Sequence, residues 1–133
     1  MKQSISILFL LVINTFSFAQ NKIDQDLEKC LSQRNSTAGQ VSCVSSARNS
    51  WDKELNKSYI SLSQKLSTKG KKELIEAQRN WILFRDSEFK LIDKYYFDIK
   101  KGTLFYVIAE NKKLEIVKKR VLQIIDYDYQ FDY

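Results

Sequence analysis

Between Thr37 and Leu66 the chain carries one unbroken apolar stripe: Val44, Ala47, Trp51, Leu55, Tyr59, Leu62 and Leu66. Successive members stand three or four residues apart, so all of them share one face of a helix. The rest of the chain offers little to interrupt such helices. It has no proline and only three glycines in 133 residues, alongside abundant lysine, glutamate, leucine and glutamine. So few breakers and so many helix formers predict long helices joined by short turns.

The same periodicity divides the remainder. Ile23, Leu27 and Leu31 repeat at i, i+4 and predict a short first helix ending near Gln33. Arg34 to Ser36 is a polar break. Thr37 followed by Gln40 reads as a capping box that opens the second helix. Ser67-Thr68-Lys69-Gly70 is a turn, with Ser67 or Thr68 as the next cap. A third helix is expected from about Lys71 to Tyr96. Leu74, Ala77, Trp81, Phe84, Leu91 and Tyr95 form its main stripe, and Ile75, Ile82, Phe89 and Ile92 extend the apolar surface to a second face. A helix apolar on two faces is expected to lie between two neighbours. Gly102 suits the following turn and Thr103 an N-cap. Leu104, Val107, Ile108, Leu114, Val117, Val121, Ile124 and Ile125 then mark the buried side of a fourth helix. Short turns place consecutive helices antiparallel. The expected fold is all-α: a small antiparallel bundle of one short and three long helices. From Tyr127 to Tyr133 aromatic and polar residues alternate with period two. That pattern predicts a frayed C-terminal tail with some rings folded back on the bundle; the alternative is an exposed aromatic strip that docks on a partner.

The first 19 residues read as a signal peptide. Met1 and Lys2 form a positive start, Ile5 to Ile13 is an apolar run broken only by Ser6, and Ser17-Phe18-Ala19 offers a small residue at each position a signal peptidase reads. The run is shorter than the roughly 20 residues a membrane span needs, and no cysteine follows it to carry a lipid anchor. Residues 20–133 are then a single exported domain of roughly 110 residues, periplasmic or secreted and not membrane-spanning. Cys30 and Cys43 both fall in that domain. Export permits oxidation, so a disulfide is the default reading, with two buried thiols as the alternative.

Composition excludes much chemistry. The chain has no histidine, which removes Ser-His-Asp and Cys-His triads and the usual zinc and haem ligands. Three glycines cannot build a nucleotide-binding loop. No metal and no cofactor are expected. Asp86 and Glu88, like Asp52 and Glu54, are two apart on a helix and diverge, so neither pair suits acid–base work. The formal charge is +6. Nucleic acid is the usual partner of a basic helical domain, but export argues against it, and anionic envelope surfaces are the better electrostatic match.

The residues left over are polar ones bordering the stripes. Asp52 and Asn56 sit at i, i+4 beside Trp51, Leu55 and Tyr59, while Gln78 and Arg85 bracket Trp81 on the third helix. Asp52 or Asn56 facing Gln78 or Arg85 would make either a hydrogen-bond network that fixes helix register or a ligand-contacting cluster floored by Trp81. Asp86 adjoins that group.

Those residues also carry a resemblance. Cys30, Thr37, Gly39 and Cys43, then Trp51-Asp52-Lys53-Glu54-Leu55-Asn56 with Tyr59, then Ala77-Gln78-Arg79-Asn80-Trp81 with Phe84-Arg85-Asp86, follow the order of the LprI-type lysozyme-inhibitor domains. The likeness runs from Cys30 to Arg120. It implies a helical bundle in the bacterial envelope, a non-enzymatic binding role, and inhibition of lysozyme-type muramidases through a protein partner. The other reading is an envelope structural or adaptor domain that binds anionic envelope polymers or another exported protein. The chain departs from the family where many members carry a second cysteine pair; Phe89 and Lys112 stand at the matching positions.

Overall fold

The structure is a computed structural model that describes residues 22–131; the signal-peptide reading of residues 1–19 falls outside the described residues. The described residues form four α-helices: α1 (residues 22–32), α2 (Thr37–Lys65), α3 (Thr68–Asp93) and α4 (Leu104–Gln130). α3 runs on into a π-helical segment, Lys94–Lys100. No strand occurs among the described residues. The fold is an all-α helical bundle.

Serines set both of the first two long helices. Ser36 Oγ accepts the Gly39 N–H at 3.1 Å, and Ser67 Oγ accepts the Gly70 N–H at 3.2 Å. Each satisfies one of the amides a helix start leaves without an internal partner. The cap of α2 is therefore Ser36 rather than Thr37, which is the first helical residue. At α4 the expected cap is absent: Thr103 is helical in conformation and its side chain makes no cap bond. The turn is instead closed by backbone bonds from Phe105 to Gly102 and from Tyr106 to Thr103. It depends on positive φ at Lys101 (53°) and Gly102 (121°), the second of which side-chain-bearing residues seldom adopt.

The core lies mainly between α2 and α4, which are not consecutive. The Arg48–Glu110 ion pair near their starts and the Ser61–Asp128 hydrogen bond near their ends place the two helices side by side and parallel, with α3 running back between those ends. Val44, Trp51, Leu55 and Leu62 of α2 meet Leu114, Val117, Val121 and Ile124 of α4. Burying each large aliphatic side chain of such a core contributes about 1.5–3 kcal/mol. α1 packs Ile23, Leu27 and Leu31 against this core. It is clamped to α2 by the Cys30–Cys43 disulfide and tied to α4 by the Asp24–Lys118 ion pair at 2.6 Å.

Two further expectations are corrected. α3 does not lie between two neighbours. It buries only Leu74 and Ile92, and Ile75, Ile82, Phe84 and Leu91 are exposed. The fourth element that would have covered it is the short α1, which packs on α2 and α4 instead. The C-terminal segment is not frayed from Tyr127; α4 continues through Gln130. Asp128 is its anchor, buried where Ser61 Oγ donates to it at 2.9 Å and the Lys65 ammonium lies 3.2 Å away.

Candidate functional site

On α3, Gln78, Trp81 and Arg85 lie at steps of three and four and so share one face. That face meets α4 at Arg120. The guanidinium donates from Nε to Gln78 Oε1 at 3.0 Å and from Nη1 to Gln123 Oε1 at 2.6 Å, and Gln123 in turn donates to the Tyr127 hydroxyl at 3.3 Å. Arg120 is buried, and desolvation lowers its pKa from the ordinary guanidinium value, partly offset by Tyr127. Arginine keeps its charge at such values, so the site holds a fixed cation.

Cations cover the aromatic rings here. The Arg85 guanidinium lies over Trp81, 5.3 Å from the ring centre, and that of Arg120 is 5.9 Å away. Phe89 has Arg48 at 5.4 Å, Lys113 at 5.8 Å and Arg85 at 6.0 Å. These distances fall within the range of cation–π attraction. Carboxylates hold the cations in place. Asp86 Oδ1 accepts from Arg85 Nε at 2.9 Å and Nη2 at 2.7 Å. Lys113 pairs with Asp93 and Glu110, and Arg48 with Glu110.

The predicted polar group is thus divided. Gln78, Trp81, Arg85 and Asp86 belong to one α3–α4 cluster. On α2, Tyr59 packs half-buried against the core, Asp52 is half-buried and Asn56 is exposed. Gln78 takes Arg120, and Arg85 takes Asp86, in place of Asp52 or Asn56. Arg120, Gln123 and Tyr127 were missed in the sequence. Their signal was an arginine set directly against Val121 on the buried side of α4.

Phe89 packs against the core. Lys112 is half exposed beside Glu115. Lys113 is the α4 residue that reaches the Phe89 ring, so an aromatic–cation contact joins the helices there.

Around the cluster the surface is apolar and grooved. One groove between α3 and α4 is lined by Leu91, Ile92, Tyr95 and Ile116, with Glu88, Lys112 and Lys119 also on its walls. A second, toward the other end, is lined by Leu62, Leu66, Leu74, Ala77, Tyr127 and Phe131. Phe84 and Leu91, seven residues apart and so on one side of α3, are 53% and 60% exposed. Among the described residues no group of His, Cys, Asp or Glu is placed to hold a metal ion, and no helix is long and apolar enough to cross a membrane.

Fold and site together define a class: a small disulfide-clasped helical domain whose polar side chains largely engage one another and whose third helix presents an apolar edge. The sequence profile described as "Lysozyme inhibitor LprI" matches residues 28–124, and the chain belongs to that family of inhibitors. A crystal structure of an uncharacterized protein from Burkholderia thailandensis shares the fold, with a TM-score of 0.76 and 26% sequence identity. The match covers 84% of this chain and 55% of that one, so this chain spans little more than half of its structural relative. No functionally curated protein matches the chain. The disulfide indicates a non-reducing compartment.

Proposed function

We propose that the chain is an exported, non-enzymatic inhibitor of lysozyme-type muramidases, which docks through the apolar edge of α3. The observation that carries this reading is the family match across residues 28–124, which takes in all of α2 and α3 and most of α4. Two further features support it. Phe84 and Leu91 offer exposed apolar anchors of the kind that dominate protein interfaces. Two of the acids near them pair within the domain: Asp86 with Arg85, and Asp93 with Lys113. A surface whose charges are satisfied internally docks with less desolvation cost.

The test is a bacterial lysis assay with lysozyme and the oxidised chain from Gln20 onward. Inhibition near stoichiometry is expected, and Phe84→Asp with Leu91→Asp should weaken it by about tenfold or more, since each truncation of an interface anchor removes on the order of 1–2 kcal/mol. No inhibition by the parent chain at tens of micromolar would refute the reading. A second reading rests on charge. The full chain carries +6, and without Lys2 the exported domain stays basic at +5; such a domain is drawn to anionic surfaces, whereas a basic lysozyme would be approached against like-charge repulsion. On this reading the domain is an envelope adaptor that binds anionic envelope components, and it predicts salt-sensitive retention on isolated envelope material.

A further inference from the structure

At the end of the bundle where α3 gives way to α4, apolar surface and positive charge coincide. The π-helical segment folds its rings back on α4: Tyr96 stacks on Phe105 with centroids 6.1 Å apart, and Phe97 meets Tyr106 at 4.7 Å. Those contacts leave the apex bare. Ile99 and Leu104, on either side of the turn, are each 65% exposed, and Tyr95 and Tyr106 are 40% and 44% exposed just behind them. A loop tip normally carries polar residues; this one carries two of the most exposed aliphatic side chains of the described residues.

The charge around the apex has one sign in excess. Asp93 is paired with Lys113 and Asp98 with Lys94. Lys90, Lys100 and Lys101 have no carboxylate partner among the described residues, and Lys100 lies over the Tyr95 ring at 5.5 Å. Aliphatic residues at an apex, tyrosines one turn behind and unpaired lysines around them match the layers of an anionic bilayer surface: hydrocarbon, interface and headgroup phosphate.

We propose that the α3–α4 tip is a membrane-docking wedge, inserting Ile99 and Leu104 among the acyl chains of an anionic phospholipid bilayer while Lys100 and Lys101 meet its phosphates. This deepens the adaptor reading by naming a partner and a surface, and it does not depend on muramidase inhibition.

Co-sedimentation with vesicles tests it, using the oxidised chain from Gln20 onward so that the apolar residues 1–19 do not bind lipid themselves. The chain should sediment with vesicles of phosphatidylcholine mixed with phosphatidylglycerol, be released by salt, and ignore pure phosphatidylcholine. Ile99→Asn with Leu104→Asn should weaken binding by about tenfold or more. Lys100→Gln with Lys101→Gln should weaken it by about fivefold per lysine. Ile60→Asn, at a site 56% exposed on the outer side of α2, should change nothing. All of these positions face solvent, so circular dichroism should stay at the parent level. Parent-like binding by the Ile99/Leu104 variant, equal damage from Ile60→Asn, or no binding of the parent to anionic vesicles at low salt would each overturn the proposal. If the parent is retained on cell-wall polymer but not on vesicles, the adaptor reading survives and the membrane wedge does not. If tip variants abolish muramidase inhibition while the parent ignores vesicles, the tip is a protein-docking surface and the proposal falls.

Discussion

Asp128 offers the sharpest test of how the C-terminal part of α4 is held. Its side chain is 8% exposed, accepts from Ser61 Oγ at 2.9 Å and lies 3.2 Å from Lys65 Nζ. Asp128→Ala removes a hydrogen bond to a charged acceptor, a contribution of about 1.5–3 kcal/mol. Two effects reduce the loss. Lys65 still donates to the Asp128 backbone carbonyl at 3.2 Å and its side chain is one-third exposed, so it is rehydrated rather than stranded. A carboxylate near a helix C-terminus is also unfavourable, and its removal returns about 0.3–1 kcal/mol. The net cost is then about 1–2 kcal/mol. A domain of this size loses roughly 4–8 °C of melting temperature per kcal/mol, so a drop of about 5–15 °C is expected by circular dichroism. Asp128→Asn, which keeps an acceptor for Ser61, should lose about half as much. Asp126→Ala, at an exposed position one turn from Gln130, should shift the midpoint by about a degree or less. If Asp128→Ala melts with Asp126→Ala, the end of α4 is not anchored as described.

Three further outcomes follow from packing and backbone geometry. Replacing Cys30 and Cys43 by serine opens a loop of sequence separation 13 and should cost about 3 kcal/mol in chemical denaturation, with α2 and α4 still helical; an unchanged denaturation midpoint would contradict it. Gly102→Ala forces a side chain into φ 121° and should destabilise by about 1 kcal/mol or more, although only the Phe105 ring lies near the added carbon, at 3.6 Å; equal stability would mean the turn relaxes. Arg120→Ala leaves Gln78 and Gln123 without their buried donor and should cost about 2–4 kcal/mol, whereas Gln78→Ala alone should cost less than half of that; the reverse order in a double-mutant cycle would show that Arg120 does not organise the cluster.

Much of the fold was legible because it is local. The seven-residue stripe from Val44 to Leu66 is buried or half-buried throughout, the turns fall where serine and glycine stand, and the two cysteines pair. The misreadings concern contacts between positions distant in sequence. Asp128 is placed by Ser61, 67 residues away, and by Lys65. A period-two run of aromatics gives no hint that the acid between them faces inward. Arg120 had the weakest disguise: a charged residue against Val121 on the buried side asks for a partner, and Gln78 was already suspect. The sequence marks Gln78 and Arg85 as a polar group but points to α2 as the helix facing them, because up-down connectivity suggests that consecutive helices share most contact. Here α2 and α4 do.

That arrangement has a consequence for dynamics. Five buried residues of α2 and four of α4 form the common core, reinforced by α1 and its disulfide, whereas α3 contributes Leu74 alone. Local opening costs most where apolar burial is greatest. α3 is connected to the core by Leu74 and Ile92, by Gln78 through Arg120, and by the cations over Trp81 and Phe89. Its backbone amides should therefore exchange with deuterium well before those of α2 and α4, with the region around Trp81 protected longest within it. Adding a saturating partner that docks on Phe84 and Leu91 should slow exchange in α3 selectively, because only there is stability left to gain. Uniform protection across the three long helices would instead mean that α3 is bound to the core as firmly as its neighbours, and that its exposed apolar edge is not matched by a looser helix.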